Sequence, residues 1–424
     1  MDKFKVTPSK ISGTIKTPSS KSHTLRAIMF AMMGTGKSFI RGYLKSSDSE
    51  AMINAIKLFG ATVKETEEFL EIQGIGIPGR AENVIDAGNS GQVLRFIGAL
   101  AALSPHYTVI TGDHSIRHQR PVKPLLDALT TLGVFAETTR GDGYAPIIIK
   151  GPFKGGKTTL DGQDSQPVSG LIIAAAFAPY PTEITVTHPG ETPWIDLTLH
   201  WLDYLGLPYS RENYTRYTLP GKGSFHQFDR LIPGDMSSAA YPVAAALITK
   251  STLVVQNVDM KDVQGDKALF FALQTMGAHL EFGKDFIKVY PSQLKGMELD
   301  INQFIDSITI LAVLACYAEG KTIISGAAIA RHKESDRIHA ITTELKKMGA
   351  SITETEDGLI VEGSPLKGTT LSTYSDHRMV MSLTCAALGA TGPSYIEGIH
   401  SARKTYPSFK DDFNKLGACI EMVP

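Results

Sequence analysis

The segment "AIKLFGATV" (residues 55–63) decides the reading of this chain, because it returns five times. Its echoes are "ALTTLGVFA" (128–136), "WLDYLGLPY" (201–209), "ALQTMGAHL" (272–280), "ELKKMGASI" (344–352) and "DFNKLGACI" (412–420). Their glycines, Gly60, Gly133, Gly206, Gly277, Gly349 and Gly417, stand 73, 73, 71, 72 and 68 residues apart. Each segment reads as the end of an amphipathic helix, a glycine that accepts the left-handed conformation, and a strand. Between the echoes lie small-residue apolar stretches such as "GQVLRFIGALAAL" (91–103) and "SSAAYPVAAALIT" (237–249), which read as buried, closely packed helices. Short apolar runs such as "YAPIIIKG" (144–151) and "STLVVQNV" (251–258) supply strands. This period is too long for one turn of a solenoid and suits a small α/β unit with two helices and several strands.

Six such units in 424 residues make two domains of three. The boundary is placed near "RLIPGDMSS" (Arg230–Ser238), where Pro-Gly-Asp punctuates the chain, so that the first domain ends at 235. Composition is that of an ordinary globular protein, with 42% apolar residues, 20% charged residues and a formal net charge of −1. A near-neutral total argues against a nucleic-acid partner, which favours a basic face. Cys316, Cys385 and Cys419 have no metal-ligand spacing and read as free thiols, the first two buried, which fits a reducing cytoplasm. The opening "MDKFKVTPSKISG" lacks the apolar core of a secretory signal, and no apolar run is long enough to span a membrane.

Two Lys-Ser pairs compete for a phosphate. "GTGKSF" (34–39) looks like the end of a nucleotide-binding loop, but that loop needs a glycine six residues before Lys37, where Ala31 stands. A helical stretch also precedes it and a strand follows, the reverse of the required order. Gly34 therefore reads as a helix end, and Lys37 as the start of a surface strand. "TPSSKSHTLRA" (17–27) is the better candidate: serines able to cap a helix surround Lys21, with Arg26 a turn further on. The pattern of Gly, Ser or Asp followed by a cation recurs. "DAGNSGQVLRF" carries Asn89, Gly91 and Arg95; "TGDHSIRHQRPVKPL" carries Arg117, Arg120 and Lys123. "ARHKESDRI" carries Lys333, Glu334, Asp336 and Arg337; "YSDHRMVMSL" carries Asp376, His377 and Arg378; "SARKTYPSF" carries Arg403 and Lys404. Several such helix starts facing one cleft make a polyanion site without a metal. No zinc, calcium-loop or nucleophile-elbow motif is present, so neither a metal nor a cofactor is expected.

These motifs, together with "DSQ" (164–166) and "VQGD" (263–266), resemble in order and over nearly the whole chain those of the 5-enolpyruvylshikimate-3-phosphate synthases, a family of enolpyruvyl transferases. The resemblance implies a two-domain inside-out α/β barrel with three βαβαββ repeats per domain, joined by two crossovers. Residues 1–18 then belong with 236–424, and the active site lies in the interdomain cleft. It implies transfer of the enolpyruvyl group of phosphoenolpyruvate to the 5-hydroxyl of shikimate 3-phosphate, with release of phosphate through a tetrahedral intermediate. Lys21, Asp306, Glu334 and Lys404 are the implied catalytic residues, Asp306 as the base beside the 5-hydroxyl. Phosphoenolpyruvate falls to Lys21, Asn89, Gly91, Arg120, Gln166, Arg337, Arg378 and Lys404. Shikimate 3-phosphate falls to Lys21, Ser22, Arg26, Ser165, Gln166, Asp306 and Lys333. A monomer, inhibited by glyphosate in competition with phosphoenolpyruvate, is expected. The chain departs from the family pattern at Asp164, Glu191, Trp194 and Ile329 on the shikimate-phosphate side, and at Gln92 and Phe96. An acid facing a phosphate repels it, so Asp164 is expected to turn away or to pair with a cation. Two other readings compete. A UDP-N-acetylglucosamine enolpyruvyl transferase has Lys-Asn in place of Lys21-Ser22 and a cysteine in the loop at 112–120. A non-catalytic relative that binds a phosphorylated metabolite has only the departures in its favour.

Overall fold

The computed structural model describes residues 2–424. The six repeat glycines all adopt positive φ, between 69° and 105°. At the first, the Gly60 N–H bonds the Lys57 carbonyl at 2.9 Å and the Ala61 N–H reaches back to Ile56 at 3.1 Å. The same two bonds close the helix before each of the other five glycines, at 2.9–3.1 Å. A Cβ at Gly60, Gly133, Gly206 or Gly349 would meet nothing within 4 Å. Conformation, not space, is therefore what demands glycine at those four turns.

The chain divides into two compact units, Ser19–Ile232, and the residues up to Pro18 together with Pro233–Pro424. The division falls three residues ahead of the boundary read at 235, because residues 233–235 are tied to the second unit. The Asp235 N–H donates to the Pro18 carbonyl at 2.8 Å, and the Gly234 carbonyl accepts from Gln264 Nε2 at 2.8 Å. Asp235 also caps helix Met236–Ile248, accepting the Ser238 N–H at 2.7 Å.

Each unit holds three four-stranded sheets that share one plan: a parallel pair, then antiparallel neighbours. Strand Lys321–Ser325, for example, runs parallel to Glu298–Asp300 and antiparallel to Leu359–Glu362, which pairs with Ser351–Glu354. Two sheets of the second unit are completed from the start of the chain. Gly13–Lys16 lies parallel to Leu253–Gln256, and Lys3–Thr7 lies antiparallel between Ser394–Glu397 and Cys419–Val423.

In each unit the helices are inside and the sheets outside, the arrangement of an inside-out α/β barrel. Helices Lys21–Met33, Gly91–Ala101 and Ser165–Phe177 form the interior of one unit; Met236–Ile248, Ile308–Cys316 and His377–Leu388 form that of the other. These helices are buried on every side, the exceptions being Lys21, Gln92 and Gln166 near their starts. Burial all round is why they read as unbroken apolar stretches rather than stripes. Small residues let them approach: a Cβ on Gly170 would sit 3.0 Å from the Arg95 carbonyl oxygen. The polar residues of these helices are thereby concentrated at their first turns, where the sequence motifs lie. Gly34 caps the first helix and Lys37 is the exposed first residue of strand Lys37–Arg41. Among the described residues no helix is long and apolar enough to cross a membrane.

Candidate active site

In the unit Ser19–Ile232, three helix starts supply the expected residues. Ser20 caps the first helix, its hydroxyl accepting the His23 N–H at 3.4 Å, and so fixes Lys21 and Ser22 in the opening turn. Lys21 Nζ lies 3.5 Å from Asp48 Oδ2, a buried carboxylate that also accepts from Ser90 Oγ at 3.0 Å. Ser22 Oγ accepts from Gln92 Nε2 at 3.2 Å. Arg26, one turn on, is 1% exposed, and its guanidinium meets only neutral partners. It donates to Thr198 Oγ1 at 2.9 and 3.0 Å, to the Trp194 carbonyl at 3.2 Å and to the Ser22 carbonyl at 3.3 Å, with the Phe96 ring 5.0 Å away. Burial pushes its pKa down to about 9, so it remains a cation at neutral pH. Among the described residues no carboxylate answers it, although buried charges are ordinarily paired.

A second group forms around Gly91. A Cβ there would lie 2.5 Å from Arg120 Nη1, 2.7 Å from Arg95 Nη1 and 3.0 Å from Gln166 Oε1, so three of the expected residues and Arg95 converge on one point. Arg95 is the tie: it donates to Gln166 Oε1 at 3.0 Å and to the Pro121 carbonyl at 2.8 Å, and pairs with Asp164 at 3.0 Å. It thus joins the Arg120 loop to the starts of two interior helices. The acid at position 164 is neutralised by that pairing and caps its own helix through the Gln166 N–H at 3.0 Å. Glu191 is buried and left-handed (φ 47°), and its Oε2 accepts from the Ser165 N–H at 3.2 Å and from Ser165 Oγ at 3.4 Å. Asn89 Nδ2 bonds Asp113 at 2.6 Å and Ser115 Oγ at 2.9 Å.

The other unit holds a denser network. Arg337, 1% exposed, donates to Asp376 at 2.8 and 3.3 Å, to Asp306 Oδ1 at 2.7 Å and to Glu334 Oε2 at 2.6 Å. Arg378 Nη2 holds the second Asp306 oxygen at 2.8 Å and Ser237 Oγ at 3.2 Å. Lys404 Nζ holds Glu334 Oε1 at 2.6 Å. Lys333 is also buried and adds its field at Asp306. Burial alone raises the Asp306 pKa, but Arg378, Arg337 and Lys333 outweigh it and hold the carboxyl well below its ordinary value. Glu334, Asp376 and His377 bring potential metal-ligating atoms within 4.8 Å of one another. Arg337 and Lys404 already hold the same carboxylate oxygens, so a metal ion would have to displace two cations.

The sequence pointed to the cations and missed what orients them. Neither Asp48 nor Thr198, in mid-helix, gave a signal of its contact with Lys21 or Arg26. Ile329, a departure from the family pattern, packs against the apolar core. Cys316 and Cys385 are buried, and desolvation pushes the Cys316 thiol up to about 12, which leaves it unreactive.

Comparisons with known proteins agree on one family. The sequence profile of EPSP synthase (3-phosphoshikimate 1-carboxyvinyltransferase) matches residues 6–413. The chain is 43% identical over 421 residues to a 3-phosphoshikimate 1-carboxyvinyltransferase of Chlamydia pneumoniae, covering 99% of this chain and 94% of that one. It is 41% identical to the protein of the same name from Acetivibrio thermocellus, covering 98% of this chain and 99% of that one. The solved structure of an EPSP synthase from Acinetobacter baumannii superposes with a TM-score of 0.82 at 28% identity, over all of both chains. The enolpyruvyl transferase NikO from Streptomyces tendae reaches the same TM-score, 0.82, at 19% identity, a likeness of fold alone. The chain belongs to the EPSP synthase family.

Proposed function

We propose that the chain is a 3-phosphoshikimate 1-carboxyvinyltransferase whose residues act as follows. The carrying observation is Asp306, a carboxylate kept ionised between Arg337 and Arg378 at 2.7 and 2.8 Å. The same two guanidiniums suit the carboxylate and phosphate of phosphoenolpyruvate. When an anionic substrate draws on them, their field at Asp306 weakens and the carboxylate becomes a stronger base. Asp306 then accepts the proton of the substrate 5-hydroxyl as its oxygen bonds to C2 of the enol. C3 takes a proton from an acid of the set Lys21, Glu334 and Lys404. Phosphate leaves C2, and loss of a proton from C3 restores the double bond. Lys21, Arg120, Gln166, Lys404 and the amide at Gly91, with Asn89 beside them, hold phosphoenolpyruvate. Arg26 and Ser22 receive the shikimate carboxylate, the anion that the lone Arg26 guanidinium lacks. Lys333 and Ser165 take the 3-phosphate, and a phosphate at Ser165 has to displace Glu191 from that amide.

The proposed roles draw on residues of both units. Small-molecule substrates, action as a monomer and a cytoplasmic setting complete the reading; the near-neutral charge and free thiols support it. The test is phosphate release. It should require phosphoenolpyruvate and shikimate 3-phosphate together, and release that depends on UDP-N-acetylglucosamine instead would overturn the assignment.

A further inference from the structure

Glu344 stands two turns along the helix that Arg337 opens, Arg337–Lys347, and takes no part in the chemistry above. Residues seven apart share a helix face, so Glu344 looks the same way as Arg337. It is 0% exposed, and its two oxygens accept four bonds. Lys347 Nζ supplies two, at 2.8 and 2.9 Å; the Ser372 N–H and the Tyr374 hydroxyl supply one each, at 2.9 Å. A buried carboxylate is tolerated only while such donors are kept, so Glu344 and this segment hold each other.

The segment it grips is under strain. Tyr374 and Ser375 have φ of 53° and 56°, two consecutive non-glycine residues in the left-handed region. L side chains enter that region at a cost, and Tyr and Ser lack the relief open to Gly or Asn. Tyr374 is 40% exposed, so its ring is only partly packed and the bond from its hydroxyl to Glu344 is the defined hold on the turn. Directly after it, Asp376 caps helix His377–Leu388 through the Arg378 N–H at 2.9 Å, accepts from Arg337, and starts the helix that aims Arg378 at Asp306. Strain of this kind persists where surrounding contacts over-determine it.

We propose that Glu344 is a positioning residue: it clamps the Ser372–Ser375 turn in its left-handed form and thereby sets Asp376 and Arg378 against Arg337 and Asp306. One helix thus grips the corner at two points, Arg337 on the Asp376 carboxylate and Glu344 on the turn before it. Released, the turn relaxes toward ordinary backbone angles, and Arg378 loses its aim at Asp306. The importance of that aim rests on the function proposed above; the clamp itself does not.

The experiment compares the parent, Glu344→Gln, Tyr374→Phe and the double variant Glu344→Gln with Ser375→Gly. Two readouts are taken: amide hydrogen exchange across residues 373–378, and kcat with KM for each substrate. Glu344→Gln should speed exchange in that segment by about tenfold or more. It should lower kcat by about tenfold to a hundredfold, as misplacement by an ångström does. Tyr374→Phe, which leaves the buried charge in place, should show both effects more weakly. Ser375→Gly, free to adopt the turn unaided, should recover most of the lost kcat, which a general loss of stability would not allow. Unchanged exchange, a kcat within about twofold of the parent, or no recovery in the double variant would each overturn the clamp. Exchange needs no substrate, so a parent without turnover would count against the function reading while exchange alone still judged the clamp.

Discussion

Replacing Arg337 by Met keeps the bulk of the side chain and removes the cation shared by three carboxylates. The cost can be worked from what each carboxylate keeps. Asp306 retains Arg378 at 2.8 Å and Glu334 retains Lys404 at 2.6 Å. Asp376, 0% exposed, retains neutral donors, Ser335 Oγ at 3.1 Å and the Arg378 N–H at 2.9 Å. The loss is therefore close to that of one broken buried pair, about 3–5 kcal/mol, rather than three. Against a total of roughly 5–15 kcal/mol for a domain this is large. At about 2–4 °C per kcal/mol for a unit of this size, melting should fall by about 6–20 °C. The fall should depend on pH. In the parent, Asp306 titrates below its ordinary value of 3.8, so its pairing contributes stability that is present above that value and lost as pH drops beneath it. The variant lacks the Arg337 share of that depression and has less to lose. The gap between the two should therefore be widest near neutral pH and should narrow in acid below 3.8. Scanning calorimetry of both proteins across that range measures it. A fall of less than about 2 °C at pH 7, or a gap that widens in acid, would refute the reasoning.

Arg26→Gln should behave in the opposite way. The partners of Arg26 are neutral, so its loss strands no anion and should move melting by only a few degrees. The KM for shikimate 3-phosphate should rise by about 30-fold or more, because a buried charge pair with the ligand is lost; an unchanged KM would remove Arg26 from the binding site. Gly91→Ala places a methyl 2.5 Å from Arg120 Nη1 and 2.7 Å from Arg95 Nη1. One of these guanidiniums must shift, and losing one charge-assisted contact of about 1.5–3 kcal/mol raises the KM for phosphoenolpyruvate by about 10- to 150-fold. Inhibition by glyphosate should weaken in parallel, and a variant with the parent's KM and sensitivity would contradict this.

The repeat was legible because the left-handed helix end leaves glycine as nearly the only choice, so a backbone requirement became a visible letter. The interior helices were legible because burial on every side leaves few polar residues beyond their first turns. The cations were legible for a related reason: Arg26 and Arg378 stand at the head of otherwise apolar runs, and Lys21 stands among helix-capping serines. What orients them was not. Thr198 meets Arg26 across 172 residues and Glu344 meets Tyr374 across 30, and nothing local to either marks the meeting. At position 164 repulsion between like charges pointed to a cation partner, but only geometry identifies Arg95. At position 191 the sequence showed only a departure from the family pattern, and geometry alone puts that acid on the Ser165 amide.

Strand Lys3–Thr7 carries a consequence for how the molecule is made. Its register sets Lys3 against Val423 and Val6 against Ser394, so the strand waits for partners synthesised about four hundred residues later. The unit Ser19–Ile232 has every strand of its sheets within its own span and can close as it emerges from the ribosome. The sheet containing Lys3–Thr7 cannot, and its closure carries the longest loop entropy in the chain. A nascent-chain experiment should find protease resistance in residues 19–232 well before residues 3–7 are protected. Throughout that interval a strand with both edges unpaired is exposed, and a chaperone that shields strand edges would find a customer there.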